Sequence, residues 1–439
     1  MKFTRPLLQT CGIVIIAISA IAAFALSHGA HNDNHKTTLT WMLSNDAVNK
    51  PMLEELVRIF EQAHPAIRVD IMWVAGGQYH TKLKTLSAAG QAPDVFWCSD
   101  VFAPYMLSSL ADITSYVEGD SAEMELADFY PQLIEGCRHQ GRYYYMPRYF
   151  TVDLLYYNKN LFDKAGLPYP TRQWTWDDYI KAAKTLTLKD ASGKVTQWGS
   201  NIAGGWWGEW GIFVEQAGGT FFTPDLARCT LDTPEAVKGL TFYRDKIYRY
   251  KVSPPPGYGP IPPEFASGIV AMDYGGHAAL WVVYRKIEGL HWDIQVLPRG
   301  PKAQGGEYAI DAMGIAKTSR HKDEAWEFLK FLVSKESIRR HAQQGYLPVR
   351  KSIAKETVLA GKPGERPQDP QHTEIVYEAL ELGRTLPRQP DFVEIMLKVI
   401  QPEIDLMLLD KQTPAMTARR ASEAVNTFIP TLGKDIKQN

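Results

Sequence analysis

The sequence predicts an α/β fold in which a mostly parallel sheet is flanked by helices on both faces. Two observations lead to this prediction. Strand-like and helix-like segments alternate from residue 37 onward, which is the order typical of parallel sheets. The chain also has 439 residues, of which 45% are hydrophobic. At roughly 150 residues per domain, this length is sufficient for two or three domains, so we expect more than one α/β unit.

The first elements follow a βαβαβ order. The run "TTLTWML" (37–43) is rich in β-forming residues and predicts a strand. The segment "PMLEELVRIFEQAH" (51–64) begins with a proline, as helices often do, and its apolar residues recur at helical spacing. "IRVDIMWVA" (67–75) alternates apolar and polar residues, and "DVFWC" (94–98) reads as a buried strand. The buried face of the predicted helix contains Leu53, Leu56, Val57 and Phe60.

Polar or aromatic side chains follow each of these strands. Asn45 comes after the first strand, "GGQYH" (76–80) with Tyr79 after the second, and Asp100 after the third. In open α/β sheets, ligands bind at the carboxyl ends of the strands, so Asn45, Tyr79 and Asp100 are candidate ligand contacts. Ordinary turn chemistry is the alternative explanation for each of these residues.

The N-terminal segment, residues 1–36, has the features of an export signal. Lys2 and Arg5 precede the apolar run "GIVIIAISAIAAFAL" (12–26), and small residues follow that run. A retained membrane anchor is the alternative. In either case the rest of the chain is expected outside the cytoplasm, in the periplasm or its equivalent.

The charge and the cysteine content exclude several classes of protein. The net charge is −1, so nucleic acid is not an expected partner. Beyond the N-terminal segment only Cys98, Cys137 and Cys229 remain, which permits one disulfide at most. The sequence contains no CxxC pair and no HExxH motif, so neither a metal site nor a cofactor is expected.

Several segments together resemble the extracellular solute-binding proteins of the sugar-binding class (family 1) that serve ABC importers. The resemblance is carried by "YYMPRYFTVDLLYYNKNLFDKAGLPYPTRQWTWDDYIKAAKTLT" (144–187), "FVEQAGG" (213–219), "GIVAMDYGGHAALW" (268–281) and "KTSRHKDEAWEFLKFLVSKESIRRHAQQGYLPVR" (317–350). These segments occur in the family's order and extend over nearly the whole chain after residue 36.

The resemblance implies a two-lobed periplasmic-binding-protein fold, type II-like, in which each lobe is a mostly parallel sheet flanked by helices. Lobe one would contain residues 37–150 and 311–352, and lobe two residues 151–310 and 353–439. A hinge would join the lobes, and one small solute would bind in the cleft. The protein would be a monomer without catalytic activity, and it would pass its solute to the transmembrane permease subunits of the importer.

The chain departs from the family pattern in the 144–187 segment. Many relatives have an aspartate where this chain has Thr151, and a tyrosine where it has Arg148. Arg148 is therefore expected to meet an anionic or strongly polar part of the solute. A surface arginine or an interlobe salt bridge is the alternative. The same resemblance suggests Tyr149, Tyr346 and Arg350 as further ligand contacts.

The stretch "NIAGGWWGEWGIFVEQAGGTFF" (201–222) predicts a glycine-rich loop that carries tryptophans. A sugar needs polar partners for its hydroxyls and an aromatic face for its C–H bonds. Hydroxyl partners are expected among Asn45, Asp100 and Glu209, and aromatic faces among Trp206, Trp207, Trp281 and Tyr346. Gly275 and Gly276 would let the backbone approach the solute. Core packing is the alternative for each tryptophan, and a tight turn is the alternative for the glycines.

Two other functions remain as alternatives. A secreted carbohydrate-active hydrolase would need an acid and a nucleophile, and Glu209, Asp100, Asp273 and Asp311 are the available carboxylates. Within the binding class, a glycerophosphodiester or a sugar phosphate is the alternative solute.

Overall fold

A computed structural model describes residues 36–44, 49–102, 106–201, 207–257, 261–277, 280–360, 370–387 and 391–435. Asn45, Trp206 and the N-terminal segment up to residue 35 lie outside these ranges. The predictions for them therefore stay predictions.

The described elements are strands and helices in alternation, so the predicted α/β class is confirmed. The strands are β1 (Thr37–Ser44), β2 (Ile67–Val74), β3 (Val95–Ser99), β4 (Arg138–His139), β5 (Arg142–Tyr143), β6 (Tyr145–Asn158), β7 (Leu188–Lys189), β8 (Val195–Gln197), β9 (Met272–His277), β10 (Trp292–Gln295), β11 (Tyr308–Ile315) and β12 (Leu347–Pro348).

The helices are α1 (Lys50–Ala63), α2 (Tyr79–Ala88), α3 (Thr114–Gly119), α4 (Pro131–Gly136), α5 (Lys159–Ala165), α6 (Trp176–Leu186), α7 (Trp207–Gln216), α8 (Pro234–Tyr248), α9 (Ile261–Ala266), α10 (Leu280–Tyr284), α11 (Lys322–Leu332), α12 (Lys335–Gln344), α13 (Lys351–Ala354), α14 (Ile375–Leu382), α15 (Phe392–Ile395), α16 (Gln401–Leu408) and α17 (Pro414–Asp435). A π-helical turn follows α13 (Lys355–Leu359), and another joins α15 to α16 (Met396–Ile400).

The βαβαβ order predicted for the first elements is confirmed. Strand β1 pairs in parallel with both β2 and β3. The side chains that α1 buries are Leu53, Leu56, Val57 and Phe60, as the helical spacing predicts. Strands β11 and β6 then extend this sheet through antiparallel pairs, giving the order β2-β1-β3-β11-β6.

Strand β6 is 14 residues long and changes its partners along its length. Its first half pairs with β11 and β12, with Phe150 opposite both Ile310 and Leu347. Its second half, from Asp153 onward, pairs with β9 and β10. Strand β11 ends its pairing with β6 at Val152. The change of partners therefore falls within a few residues of Thr151 and Ile310.

Buried apolar side chains form two clusters, and β6 contributes to both. Leu154 and Tyr156 belong to the cluster built around β1, β2 and β3, whereas Leu155 and Tyr157 belong to the cluster built around α6, α7 and α8. This alternation follows from the period of two in a strand. The buried residues between Ile353 and Leu380, which the sequence assigns to lobe two, pack in the first cluster. Those from Leu386 to Val425 pack in the second.

The glycine-rich stretch predicted as a loop is helical from Trp207 onward, so that prediction was wrong for residues 207–216. Helix α7 packs closely on its neighbours, and its glycine allows this. A Cβ atom at Gly211 would lie 2.6 Å from Cζ of Phe221. The free energy that a glycine costs inside a helix is thus offset by close packing, because this helix is buried.

The signature segment 144–187 contains two capped helices. At the start of α6, the Thr175 hydroxyl accepts from Asp178 N at 3.3 Å, and Asp178 Oδ2 accepts from Thr175 N at 2.9 Å. At the start of α5, Asn158 Oδ1 accepts from Leu161 N. These residues therefore fix helix ends, each such cap contributing on the order of 1 kcal/mol.

Among the described helices, none combines the length and the apolar character that a membrane crossing requires.

Candidate functional site

A cleft of about 690 Å³ opens at the carboxyl ends of β1, β2 and β3, the edge at which the sequence predicts a ligand. Its described lining comes from residues 43–149 and 311–346. It consists of Leu43, Ser44, Asn49, Met52, Leu53, Gly76, Tyr79, His80, Trp97, Phe102, Arg148, Tyr149, Asp311, His341 and Tyr346. Of the predicted site residues, the structure brings Tyr79, Arg148, Tyr149 and Tyr346 together here.

One wall of the cleft is a group of three rings. His80 and Phe102 are stacked, with centroids 3.9 Å apart and planes inclined by 25°. Trp97 lies against both, with its centroid 5.6 Å from that of His80 and 6.2 Å from that of Phe102. All three side chains are partly exposed. This wall offers flat apolar surface of the kind on which a sugar ring packs.

A second aromatic group stands at the end of α12. The rings of Tyr149 and Tyr346 are 4.4 Å apart, and His341 lies 5.8 Å from Tyr149. The amide of Asn49 donates a hydrogen bond to the Tyr346 hydroxyl. Because Asn49 directly precedes α1, this bond ties the Tyr346 ring to the first strand-helix connection.

Between the aromatic groups lies a buried ion pair. Arg148 on β6 contacts Oδ1 of Asp311 on β11 through Nε at 3.0 Å and Nη2 at 2.9 Å. Trp97 Nε1 donates to the other carboxylate oxygen, and Tyr149 also bonds to this carboxylate. Burial alone would lower the pKa of Arg148, but Asp311 and Tyr149 raise it on balance, so the guanidinium keeps its charge.

Three nitrogen atoms of the cleft are buried and have no hydrogen-bond partner among the described residues. They are Nη1 of Arg148, Nε2 of His341 and Nδ1 of His80. Burial lowers the pKa of His341 to about 3, with Arg148 adding to the effect, and burial lowers that of His80 to about 4. Both imidazoles are therefore neutral near pH 7. Buried polar atoms without partners are rare in folded proteins, which makes these three candidates for bonds to a ligand.

Tyr79 lies at the back of the cleft, where it completes the core. It is 1% exposed, and its hydroxyl donates to the carbonyl oxygens of Met42 at 3.1 Å and Trp97 at 2.9 Å. Burial, together with neighbouring negative groups, raises the pKa of Tyr79. Its visible role is to join β1 to β3 beneath the site.

Asp100 and Arg350, which were predicted as ligand contacts, are not among the described residues that line the cleft. Asp100 is buried, and its Oδ1 accepts from Ile310 N at 2.8 Å, which attaches the end of β3 to β11. Arg350 is also buried and donates to the carbonyl oxygens of Val333 at 2.9 Å and Met124 at 3.0 Å. Both side chains therefore connect distant segments of the chain and lie outside the described cleft lining.

Glu209 belongs to a polar network that connects α7, α8 and β9. It accepts from the Tyr243 hydroxyl at 3.3 Å. Nearby, Lys246 Nζ donates to Asn201 Oδ1 at 3.2 Å, and Asn201 Nδ2 donates to Asp273 Oδ1 at 3.0 Å. Burial lowers the pKa of Lys246 to about 8. The network fixes Asn201, the last residue before the segment 202–206.

The remaining predicted aromatic contacts are core residues where they are described. Trp207 begins α7, is 1% exposed and meets the Phe392 ring edge-on at 5.8 Å. Trp281 is 5% exposed and meets Trp292 edge-on at 6.3 Å. Trp326, which the sequence assigns to the core, is 2% exposed, and that prediction is confirmed.

Gly275 and Gly276 lie on β9. Gly276 is opposite Leu154, whereas Tyr274 is opposite Leu155, so Gly275 is the extra residue of a β-bulge. Bulges bend a strand and change the direction of its neighbours, and they are common near binding sites.

Trp97, Phe102, Asp311 and His341 line the cleft but were not predicted as ligand contacts, and His80 was included only within the segment 76–80. Trp97 was read as part of a buried strand, and Asp311 was considered only as a possible catalytic carboxylate. The available signal was position, because Trp97 and Phe102 flank the Ser99-Asp100 turn, whose location at the sheet edge was predicted correctly.

Over the described ranges, no group of three or more His, Cys, Asp or Glu residues is arranged to hold a metal ion. Cys98, Cys137 and Cys229 are all buried, and no two of them form a disulfide.

Solved structures share this architecture. An ABC substrate-binding protein from Listeria monocytogenes in complex with cycloalternan superposes with a TM-score of 0.78 at 29% identity, covering 90% of this chain and 99% of that one. A solute-binding protein of an ABC transporter from Agrobacterium radiobacter K84, in complex with ribitol, gives a TM-score of 0.72 at 26% identity over 88% and 98% of the two chains.

Sequence comparison gives the same relationship. The maltotriose-binding protein of Pyrococcus abyssi is 25% identical over 309 residues, which are 67% of this chain and 63% of that protein. Residues 41–338 match the family of bacterial extracellular solute-binding proteins. This match includes the cleft wall, the ion pair and both halves of β6. The chain belongs to the bacterial extracellular solute-binding protein family.

Proposed function

We propose that this protein captures a carbohydrate or a related polyol outside the cytoplasm and delivers it to the membrane permease of an ABC importer. The observation that carries the proposal is the composition of the cleft. Partly exposed rings of Trp97 and Phe102 lie beside buried nitrogen atoms that lack partners among the described residues. Flat apolar surface together with a few fixed polar groups is what a polyhydroxylated ring requires.

The similar proteins support this class of solute. Their names and complexes mention cycloalternan, ribitol and maltotriose, which are all uncharged polyhydroxylated compounds. The family is one of binding proteins, which favours capture over hydrolysis.

We propose further that the fold works as two lobes, with residues 37–150 and 311–352 in one and residues 151–310 and 353–439 in the other, except that the buried residues between Ile353 and Leu380 pack with the first cluster and so move with the first lobe. The change of pairing partners along β6 near Thr151 supports a crossing at this point. A solute that contacts both lobes would favour the closed state over the open one.

The segment 1–36 would direct export as a signal peptide, with a retained anchor as the alternative. The mature protein would act as a monomer that docks on the transmembrane subunits of the permease in its closed form.

A thermal-shift screen of sugars and polyols tests the proposal, since a ligand that binds only the folded state raises its stability. We expect at least one neutral saccharide or polyol to raise Tm, and isothermal titration to give one site per chain. At saturation the radius of gyration from small-angle scattering should fall, and the solute should be recovered chemically unchanged. The function is refuted if no saccharide or polyol binds, and the hinge mechanism is refuted if the radius stays constant at saturation.

A further inference from the structure

The described lining of the cleft has almost no net charge. Only Arg148 and Asp311 carry formal charges there, and they form an ion pair with each other. The two histidines, His80 and His341, are held neutral by burial. Among the described lining residues, a solute that enters therefore meets one positive and one negative group, which are in contact with each other.

The carboxylate of Asp311 is fully engaged. Its Oδ1 accepts hydrogen bonds from both Nε and Nη2 of Arg148, and its Oδ2 accepts one from Trp97 Nε1. The side chains of Arg148 and Asp311 are 6% and 12% exposed, so this bonding takes place largely away from water.

The guanidinium, in contrast, has one nitrogen whose N–H groups make no hydrogen bond to a described residue. Nη1 of Arg148 is buried and has no partner among the described residues, while its other two nitrogens are held on Asp311 and Tyr149. Asp311 thus occupies the edge of the guanidinium that would otherwise grip an anion with two parallel bonds.

We propose that Asp311 is a specificity-determining residue, which neutralises and orients Arg148 so that the cleft accepts uncharged polyhydroxylated solutes and rejects those that carry phosphate or carboxylate. The inference rests on the proposed function of this site. A hydroxyl or ring oxygen accepts a bond from Nη1 without introducing charge. A phosphate at the same position adds a second anion beside Asp311 in a poorly solvated site, where like charges repel strongly.

Pairs of compounds that differ in charge test the inference. Suitable pairs are mannitol with mannitol 1-phosphate, and glucose with glucose 6-phosphate and glucuronate. Kd is measured by titration calorimetry for the wild type and for Asp311→Asn. The wild type should prefer the neutral member of each pair. In Asp311→Asn the guanidinium charge is no longer compensated, so the ratio of anionic to neutral affinity should rise roughly tenfold or more.

Arg148→Gln provides a second test that does not depend on the folding of the first variant. It leaves the Asp311 carboxylate without its cation, so the preference should move in the opposite direction. The affinity for glucosamine, which carries a positive charge, should rise roughly tenfold relative to the affinity for glucose.

A matched control exists outside the cleft. Asp128 pairs with the buried Arg350 at 3.4 Å, and neither residue is among the described residues that line the cleft. Asp128→Asn removes a comparable carboxylate, and it should lower stability without changing the ratio of anionic to neutral affinity.

The outcomes separate the two hypotheses. If the wild type binds none of the neutral or charged compounds, the proposed function fails. If the wild type binds a phosphorylated or carboxylated compound as tightly as its neutral counterpart, the specificity inference is wrong, while the capture function stands. Unchanged ratios in a folded Asp311→Asn or Arg148→Gln protein also overturn the inference. Should neither variant fold, the wild-type ratios decide the question.

Discussion

The imidazole of His80 stacks on the phenyl ring of Phe102, with centroids 3.9 Å apart. His80 follows β2 and Phe102 follows β3, so two strand ends at the same sheet edge supply the two halves of the stack. Trp97 extends this surface from the strand itself. The platform is therefore assembled by the parallel sheet, and each ring is held by its neighbours before any solute arrives.

Phe102→Ala should weaken solute binding while leaving folding stability nearly unchanged. The ring is partly exposed at the cleft wall, so its removal takes away stacking surface without opening a cavity in the core. Loss of a central aromatic contact typically costs about 2 kcal/mol, or roughly thirtyfold in Kd. Titration with the neutral solute identified in the screen measures the effect.

Tyr116→Ala is the matched control for Phe102→Ala. Tyr116 is also a partly exposed ring, and it packs on Trp326 at 5.5 Å outside the described cleft lining. Its removal should leave Kd unchanged. Equal Kd values for Phe102→Ala and the wild type would show that this wall does not touch the solute.

His341 should make the protein less stable at acidic pH. Burial holds the pKa of His341 at about 3, below its ordinary value of 6.5. Between these values the unfolded chain binds a proton that the folded chain does not, so stability falls as pH drops below 6.5. From pH 7 to pH 5 the contribution of this residue should decrease by about 2 kcal/mol.

The measurement is the free energy of unfolding of the wild type and of His341→Gln at several pH values. The difference between the two proteins isolates this residue from other titrating groups. We expect His341→Gln to lose less stability than the wild type on acidification. A difference that stays constant from pH 7 to pH 5 would contradict the burial of a neutral imidazole.

Local chemistry explains which parts of the fold the sequence predicted well. The face of α1 follows from apolar spacing, and Leu53 and Phe60 are buried as that spacing requires. The first strand follows from the β-rich run 37–43, and β1 contains Thr37–Ser44. The α/β class follows from many such local signals combined.

The parts that were not predicted depend on contacts between distant segments. Arg148 and Asp311 are 163 positions apart, and they meet because β6 pairs with β11 through a shift of register: Asp311 lies opposite Tyr149 and Ala312 opposite Pro147, which leaves Arg148 as the extra residue between them. A shift of one residue would place either side chain on the opposite face of the sheet. Helix α7 was missed for a related reason: its glycines suggest a loop locally, whereas in the fold a Cβ atom at Gly211 would lie 2.6 Å from Cζ of Phe221.

The cysteines should remain unreactive in the folded protein. Cys98, Cys137 and Cys229 are buried and form no disulfide with one another, and burial raises the pKa of the Cys98 and Cys229 thiols. Thiolates are the reactive form, so Ellman's reagent should modify these three thiols only after denaturation. Reducing agents should leave Tm unchanged. A Tm that falls on reduction would indicate a disulfide and contradict the structure.

The same titration tests the fate of the N-terminal segment. The full chain contains four cysteines, the fourth being Cys11. Denatured protein purified from the exporting cell should show three thiols if residues 1–36 are removed, as the proposed signal peptide requires. Four thiols would favour the retained anchor.

Trp206 and Trp207 should differ sharply when each is replaced by alanine. Trp207 packs against Phe392 and is 1% exposed, so Trp207→Ala should leave a cavity and lower the free energy of unfolding by about 3 to 5 kcal/mol. Its effect on solute binding by the folded protein should be small.

The sequence hypothesis needs only one of the two rings to face the solute, and because Trp207 is buried, Trp206 is the ring expected to do so. Trp206→Ala should therefore raise Kd roughly thirtyfold, equivalent to about 2 kcal/mol, with little change in Tm. Denaturant unfolding and calorimetric titration of both variants measure the two effects separately. Normal binding by both would mean that neither ring stacks on the solute, and a normal Tm for Trp207→Ala would contradict its place in the core.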